Sequence, residues 1–220
     1  MPRVLVLRPE PAASKTVAAA RKLGLEAEAI PLFEVEPVPW DLPDVTGFDG
    51  LLLTSANAIR HGGNRIRDLR GLPVYAVGET TAEAARNEGF DIASVGDSGV
   101  DRLLGSMPSD LKLLHLAGEH RRSPDHAPQS IVAIAVYRSA ERDASIGDLS
   151  GVVALIHSPR AGRRLAELVT ERGGTAIAAI SPAAAEAVGE GWSRVASADT
   201  PSDEALLALA AQLCKTYRAS

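Results

Sequence analysis

Six turns in this chain place a hydroxyl, a glycine or an arginine where a strand gives way to a helix. They are Arg8-Pro9, Thr54-Ser55-Ala56-Asn57, Gly78-Glu79-Thr80-Thr81, Gly118-Glu119-His120-Arg121-Arg122, His157-Ser158-Pro159-Arg160 and Ser181-Pro182-Ala183. A helix N-terminus offers unpaired N–H groups and the positive end of its dipole, so it attracts anions. Arg8, Arg121, Arg122 and Arg160 add positive charge at the same turns. The chemistry implied is recognition of carboxylate or phosphate groups. Taken singly, each Ser or Thr is first of all a cap, Arg121-Arg122 suits a solvated turn, and His157 suits packing at a strand end. Only their recurrence points to a site.

Several other chemistries are excluded by pattern. There is no G-x-G-x-x-G or G-x-x-x-x-G-K-[ST] for a nucleotide, and no G-x-S-x-G elbow. His61, His115, His120, His126 and His157 do not fall at zinc spacing, and Cys214 is remote from them in sequence. An enzyme built on these turns is expected to use no metal, no nucleotide and no covalent nucleophile.

The elements that must position the turns repeat. Val74–Phe90 reads as a strand, a turn at Gly78 and a helix over Thr80–Glu88, with Thr80 and Glu83 forming a capping box. Ile177–Trp192 follows the same plan around Ser181-Pro182, offset by 103 residues. The same offset relates Leu52–Asn57 to Leu155–Arg160 and Val100–Leu104 to Asp203–Leu207. A fixed offset over separated blocks implies two domain-sized copies. Val4–Glu10 and Leu113–Glu119 open the copies.

In chain order the pattern predicts strands at Val4–Leu7, Ile30–Leu32, Leu51–Thr54, Val74–Val77, Ile92–Val95, Leu113–Leu116, Ile131–Tyr137 and Val152–Ile156. Helices are predicted at Ala12–Leu23, Ala56–Ile66, Thr80–Glu88, Gly99–Met107, Ala183–Val188 and from Thr200-Pro201 to about Tyr217. Ser158 and Ser181, each followed by proline, are expected N-caps. The proline-rich segment Glu34–Asp41 and the polar segment Arg138–Gly147 read as linkers. Strand–helix alternation gives an α/β fold with parallel sheets flanked by helices. In such sheets ligands bind beyond the carboxyl ends of the strands, where the six turns lie.

Composition narrows the class further. With 220 residues, 45% hydrophobic and 23% charged, the chain suits a globular protein of one large or two small domains. A net charge of −5 argues against nucleic acid as a partner. No apolar run has the length of a membrane span or signal core, and one cysteine excludes an internal disulfide, so a cytoplasmic protein is expected.

The ordered pieces VLVLRPE, IPLFEVEP, LLLTSANAIR, VYAVGETTAEAARNEGF, LLHLAGEHRR, AVYRS, IHSPRAGRRL, IAAISPAAAEAV and ADTPSDEALLALA resemble the uroporphyrinogen-III synthase family across nearly the whole chain. The resemblance implies two flavodoxin-like α/β domains joined by a two-stranded linker. One would comprise residues 1–33 and 148–220 and the other 43–136, with linkers at 34–42 and 137–147. It implies a monomer acting on hydroxymethylbilane, a linear tetrapyrrole with acetate and propionate groups, handed over by hydroxymethylbilane synthase. Ring D would be inverted and the macrocycle closed with loss of water, without a cofactor. Carried over by motif, Thr54, Ser55, Asn57, Thr80, Thr81 and Ser158 would contact substrate. Arg8, Gly78, Gly118, Arg121, Arg160, Ser181 and Ala183 belong to the same turns. Tyr137 matches a tyrosine considered as general acid, although a tyrosine at a strand end also serves packing. Relatives often read GPTTA where this chain has Ser181–Ala185, so contacts there would fall to backbone N–H. A non-catalytic tetrapyrrole- or anion-binding module on the same fold is the alternative. A two-domain binding protein or a sugar-phosphate enzyme using the same helix ends are more distant ones.

Overall fold

A computed structural model describes residues 3–97, 99–121, 124 and 126–217. Of the turn residues named above, Arg122 lies outside them. The elements in order are β1 (Arg3–Val6), α1 (Ala12–Lys22), β2 (Glu26–Ala29), β3 (Phe33–Pro37), β4 (Gly50–Leu53), α2 (Ala56–His61), β5 (Val74–Val77), α3 (Glu79–Asn87) and β6 (Ile92–Gly96). Then come α4 (Val100–Gly105), β7 (Lys112–Gly118), β8 (Ser130–Glu141), β9 (Val152–Ile156), α5 (Pro159–Leu168), β10 (Thr175–Ala179), α6 (Pro182–Glu186), β11 (Arg194–Ser197) and α7 (Asp203–Tyr217). The chain forms two compact units, Met1–Glu34 with Glu141–Ser220, and Val35–Ala140.

The first unit holds a five-stranded sheet in the order β11-β10-β9-β1-β2, every neighbouring pair parallel. Counted along the unit, this is the flavodoxin-like order 2-1-3-4-5. Residues 152–156 and 175–179 are apolar or small and fully buried, because helices cover both faces of these strands. One face packs Val4, Val6 and Val153 against α1 and α7 through Val17, Ala20, Leu206 and Leu213. The other packs Leu5, Ala154 and Ile177 against α5 and α6 through Leu165, Ala184 and Val188.

The second unit holds a sheet in the order β3-β8-β7-β4-β5-β6. Its pairs from β8 to β6 are parallel. Those five strands again give the order 2-1-3-4-5 if β7 and β8 are counted first, so the same topology is reached by a rearranged chain. Val38 N–H donates to Val136 O, and Arg142 N–H to Leu32 O, so β3 runs antiparallel to β8 at the sheet edge. The prolines around β3 fit an edge position, where no second ladder is required. Leu51, Leu53 and Val74 pack on α2 and α3, while Leu52 and Leu113 pack on α4.

Several expected elements are corrected. The second strand is Glu26–Ala29, not Ile30–Leu32. It is an edge strand, so its Glu-Ala alternation faces water on alternate residues. The helix expected over Ala56–Ile66 stops at His61, where Gly62-Gly63 break it, and a 3-10 turn covers Asn64–Leu69. Helix α3 starts at Glu79 with Gly78 as N-cap at φ 83°, so Thr80 lies inside the helix and the capping box does not form. Helix α7 starts at Asp203 rather than Thr200, with Ser202 Oγ accepting from Ala205 N–H at 3.2 Å. The two segments read as linkers each begin as strand, in keeping with the two-stranded linker that the resemblance implies: β3 takes up Phe33–Pro37, and β8 runs on to Glu141. Among the described residues, no helix is long and apolar enough to cross a membrane.

Candidate functional site

A doubly wound sheet leaves a crevice where its strand order reverses, and ligands bind there at the carboxyl ends. In the first unit the reversal falls between β1 and β9. These strands end at Arg8 and at His157-Ser158. In the second unit it falls between β7 and β4, which end at Gly118 and at Thr54-Ser55. Each reversal therefore carries residues from the turns singled out in the sequence.

Ser158 at the first reversal and Ser181 at the end of the neighbouring β10 act as N-caps, accepting from Ala161 N–H at 3.2 Å and Ala184 N–H at 3.3 Å. Pro159 and Pro182 occupy the first helical turn, as expected. Arg8 is not a free cation. Its Nη1 donates to both oxygens of Asp203 at 2.7 Å. Thr16 Oγ1 donates to Asp203 Oδ2 at 2.8 Å. His157 Nε2 lies 3.5 Å from Asp203 Oδ1, with its side chain only 7% exposed. Neither ring nitrogen meets hydrogen-bond geometry. Burial, then the Arg8 charge, lowers the His157 pKa to about 4 against the opposing pull of Asp203, so the ring is neutral near pH 7. The guanidinium of Arg160 lies 4.3 Å from the centre of the Phe33 ring. Ala183 is exposed in the first turn of α6.

At the second reversal Ser55 caps α2, accepting from Asn57 N–H at 3.2 Å. Asn57 Oδ1 in turn accepts from Arg60 at 3.3 Å. Thr54 Oγ1 is hydrogen-bonded to His115 Nε2 at 3.1 Å. His115 is 3% exposed, and burial followed by the Arg121 charge lowers its pKa to about 4. Thr54 therefore presents a hydroxyl oriented by a neutral imidazole. Gly78 ends β5, Thr80 is exposed and Thr81 is buried in the first turn of α3. Arg121 is exposed beyond β7.

Tyr137 meets Gly118 directly. The register between β7 and β8 shifts at this point, pairing Gly118 with Tyr137 rather than Val136. Such an irregularity re-aims the side chain after it. Val136 stays in the core while Tyr137 is partly exposed. His61, at the end of α2, has its ring 6.4 Å from that of Tyr137. Burial, with Arg60 beside it, lowers the His61 pKa. Next to His61 lies a cavity of about 620 Å³ lined by residues 37–41 and 61–65. Trp40 forms one wall, its Nε1 donating to Gly62 O at 2.9 Å.

The sequence model of uroporphyrinogen-III synthase HemD matches residues 14–208. The chain belongs to the uroporphyrinogen-III synthase family. Over 101 residues it is 32% identical to uroporphyrinogen-III synthase of Chlorobaculum parvum, a match spanning 42% of this chain and 41% of that relative. The structure is similar to that of uroporphyrinogen-III synthetase from Helicobacter pylori, with a TM-score of 0.68 at 18% identity over 97% of this chain and 100% of the other. A mutant uroporphyrinogen III synthase from Thermus thermophilus gives 0.51 at 17% identity over 99% of each chain. These two likenesses concern the α/β fold.

Reading the sequence of this family member missed Asp203, Thr16, His115 and His61. Asp203 carried a weak signal, an acid at the start of a helix, but that position ordinarily serves the helix dipole. Nothing local connects it to Arg8, 195 residues away.

Proposed function

We propose that this protein is a uroporphyrinogen-III synthase, converting hydroxymethylbilane to uroporphyrinogen III with inversion of ring D and loss of water. The observation that carries the reading is the family match over residues 14–208, which includes the turns after β9, β4 and β7. The chemistry of those turns suits the substrate. Capped helix ends, the Thr54 hydroxyl and the guanidiniums of Arg8 and Arg160 can meet acetate and propionate carboxylates.

The substrate supplies its own reactivity through the pyrrole nitrogens. Hydroxide leaves the terminal carbon of ring A and departs as water once protonated. Ring D attacks through its substituted carbon, and the resulting spiro intermediate fragments and recloses. The protein's part is to hold one conformation of the chain and to favour charge developing on it. Tyr137 is the proposed proton donor, its ring placed by Gly118. The substrate is a small molecule that hydroxymethylbilane synthase would supply, and the protein acts as a cytoplasmic monomer.

The test is to generate hydroxymethylbilane in place, add the protein, and separate the oxidised uroporphyrin isomers. Isomer III supports the reading, and isomer I alone from folded protein refutes it.

A further inference from the structure

Four elements of the first unit converge on one carboxylate. Arg8 from the end of β1 gives Asp203 two contacts of 2.7 Å through a single nitrogen, Nη1. Thr16 of α1, 1% exposed, gives a third at 2.8 Å. His157 from the end of β9 stands 3.5 Å away. Asp203 itself opens α7, where the helix dipole favours its charge. Both partners of the ion pair remain partly exposed, with side chains 29% and 41% accessible. Pairs so exposed add little to stability, which leaves the convergence unexplained by folding alone.

The consequence for Arg8 is geometric. Arginine carries five N–H donors in a rigid fork. Asp203 and Thr16 engage Nη1 only. Among the described residues, Nε and Nη2 meet no hydrogen-bond acceptor. Their edge is thus held at the end of β1, beside the strand-order reversal and the Ser158-capped helix. A free arginine side chain would lose rotamer freedom on binding an anion, and a clamped one has already lost it.

We propose that Asp203 is a positioning residue that clamps Arg8, so that the Nε and Nη2 edge of the guanidinium receives a carboxylate of the ligand at the first unit's strand-order reversal. This rests on the reading of the protein as a synthase of a polycarboxylate substrate. Asp203 touches no ligand itself. It acts through Arg8, with Thr16 fixing the carboxylate from behind.

Two measurements on the full chain test it. The first needs no ligand: side-chain nitrogen NMR of Arg8, assigned by its absence in Arg8→Ala. Restricted guanidinium rotation in the wild type, released in Asp203→Asn, is expected. Equal mobility in both overturns the clamp whatever the protein catalyses. The second is titration with uroporphyrin, an octacarboxylate, followed by fluorescence quenching. Arg8→Ala and Asp203→Asn are each expected to weaken binding about 10-fold, the value of a lost hydrogen bond to a charged group. The double variant is expected to be no weaker than Arg8→Ala alone. Tighter binding by Asp203→Asn would make Asp203 a competing anion and overturn the proposal. Unchanged binding, or penalties that multiply in the double variant, would do the same. Wild-type protein that neither binds uroporphyrin nor forms isomer III refutes the synthase reading, and the ligand-facing part of this proposal with it.

Discussion

Gly118 supports the ring of Tyr137 so closely that a Cβ built on the glycine would lie 2.9 Å from Tyr137 Cε2 and 3.0 Å from Cζ. Any side chain at 118 must push the tyrosine aside. Gly118→Ala is therefore expected to lower isomer III formation through Tyr137, without a large loss of stability. If Tyr137 is the proton donor, Tyr137→Phe loses about 100-fold in rate, the lower end of what general acids contribute. The double variant should be no slower than Tyr137→Phe, because both changes remove one group. Rates that fall independently in a steady-state assay would separate Gly118 from Tyr137.

Stability should fall with acid over a defined window. His115 and His157 are buried, and each has its pKa lowered from 6.5 to about 4 in the folded protein. The unfolded chain therefore binds more protons between those values. Unfolding free energy is full above about pH 6.5 and declines as pH drops toward 4, by on the order of 3 kcal/mol for each histidine. Urea titrations at intervals from pH 7.5 to 4.5 would measure it. His115→Gln should flatten the slope, and a wild-type profile level across this range would contradict the assignment.

Capping supplies a contrast within one chain. Ser158→Ala and Ser181→Ala each remove a side-chain acceptor from a helix end and should cost about 1 kcal/mol. Thr80→Ala should cost less than about 0.5 kcal/mol, since surface changes away from special contacts usually do. Gly78, at φ 83°, holds that cap instead. Chemical denaturation of the three variants would reveal the difference, and an equal loss for Thr80→Ala would contradict the glycine cap and restore the capping box.

What the sequence could express is local. The apolar strands β4, β9 and β10 are legible because burial on both faces leaves a continuous run of Leu, Val, Ala and Ile. Strand β2 is not, because an edge strand half in water reads as Glu-Ala-Glu-Ala. The Ser-Pro caps are legible since the cap and its target are three residues apart. The start of α3 misleads, because Thr-Thr-Ala-Glu satisfies the capping pattern two residues too late, and a glycine at positive φ wins the position.

The site divides along the same line. Thr54, Ser55, Gly118 and Ser158 stand at strand ends, where hydroxyl and glycine turns announce themselves. The bonds Thr54–His115 and Arg8–Asp203 join residues 61 and 195 positions apart, and only the sheet order brings them together. Tyr137 needed a register shift at Gly118 to reach its place, and no single strand encodes that.

The most direct measurement is the isomer composition formed from hydroxymethylbilane as the concentration of this protein rises. Closure without the enzyme gives isomer I, so the ratio reports on the protein alone. The account predicts a shift from isomer I to predominantly isomer III that saturates with added protein. Isomer I at every concentration, from protein shown to be folded, would contradict it.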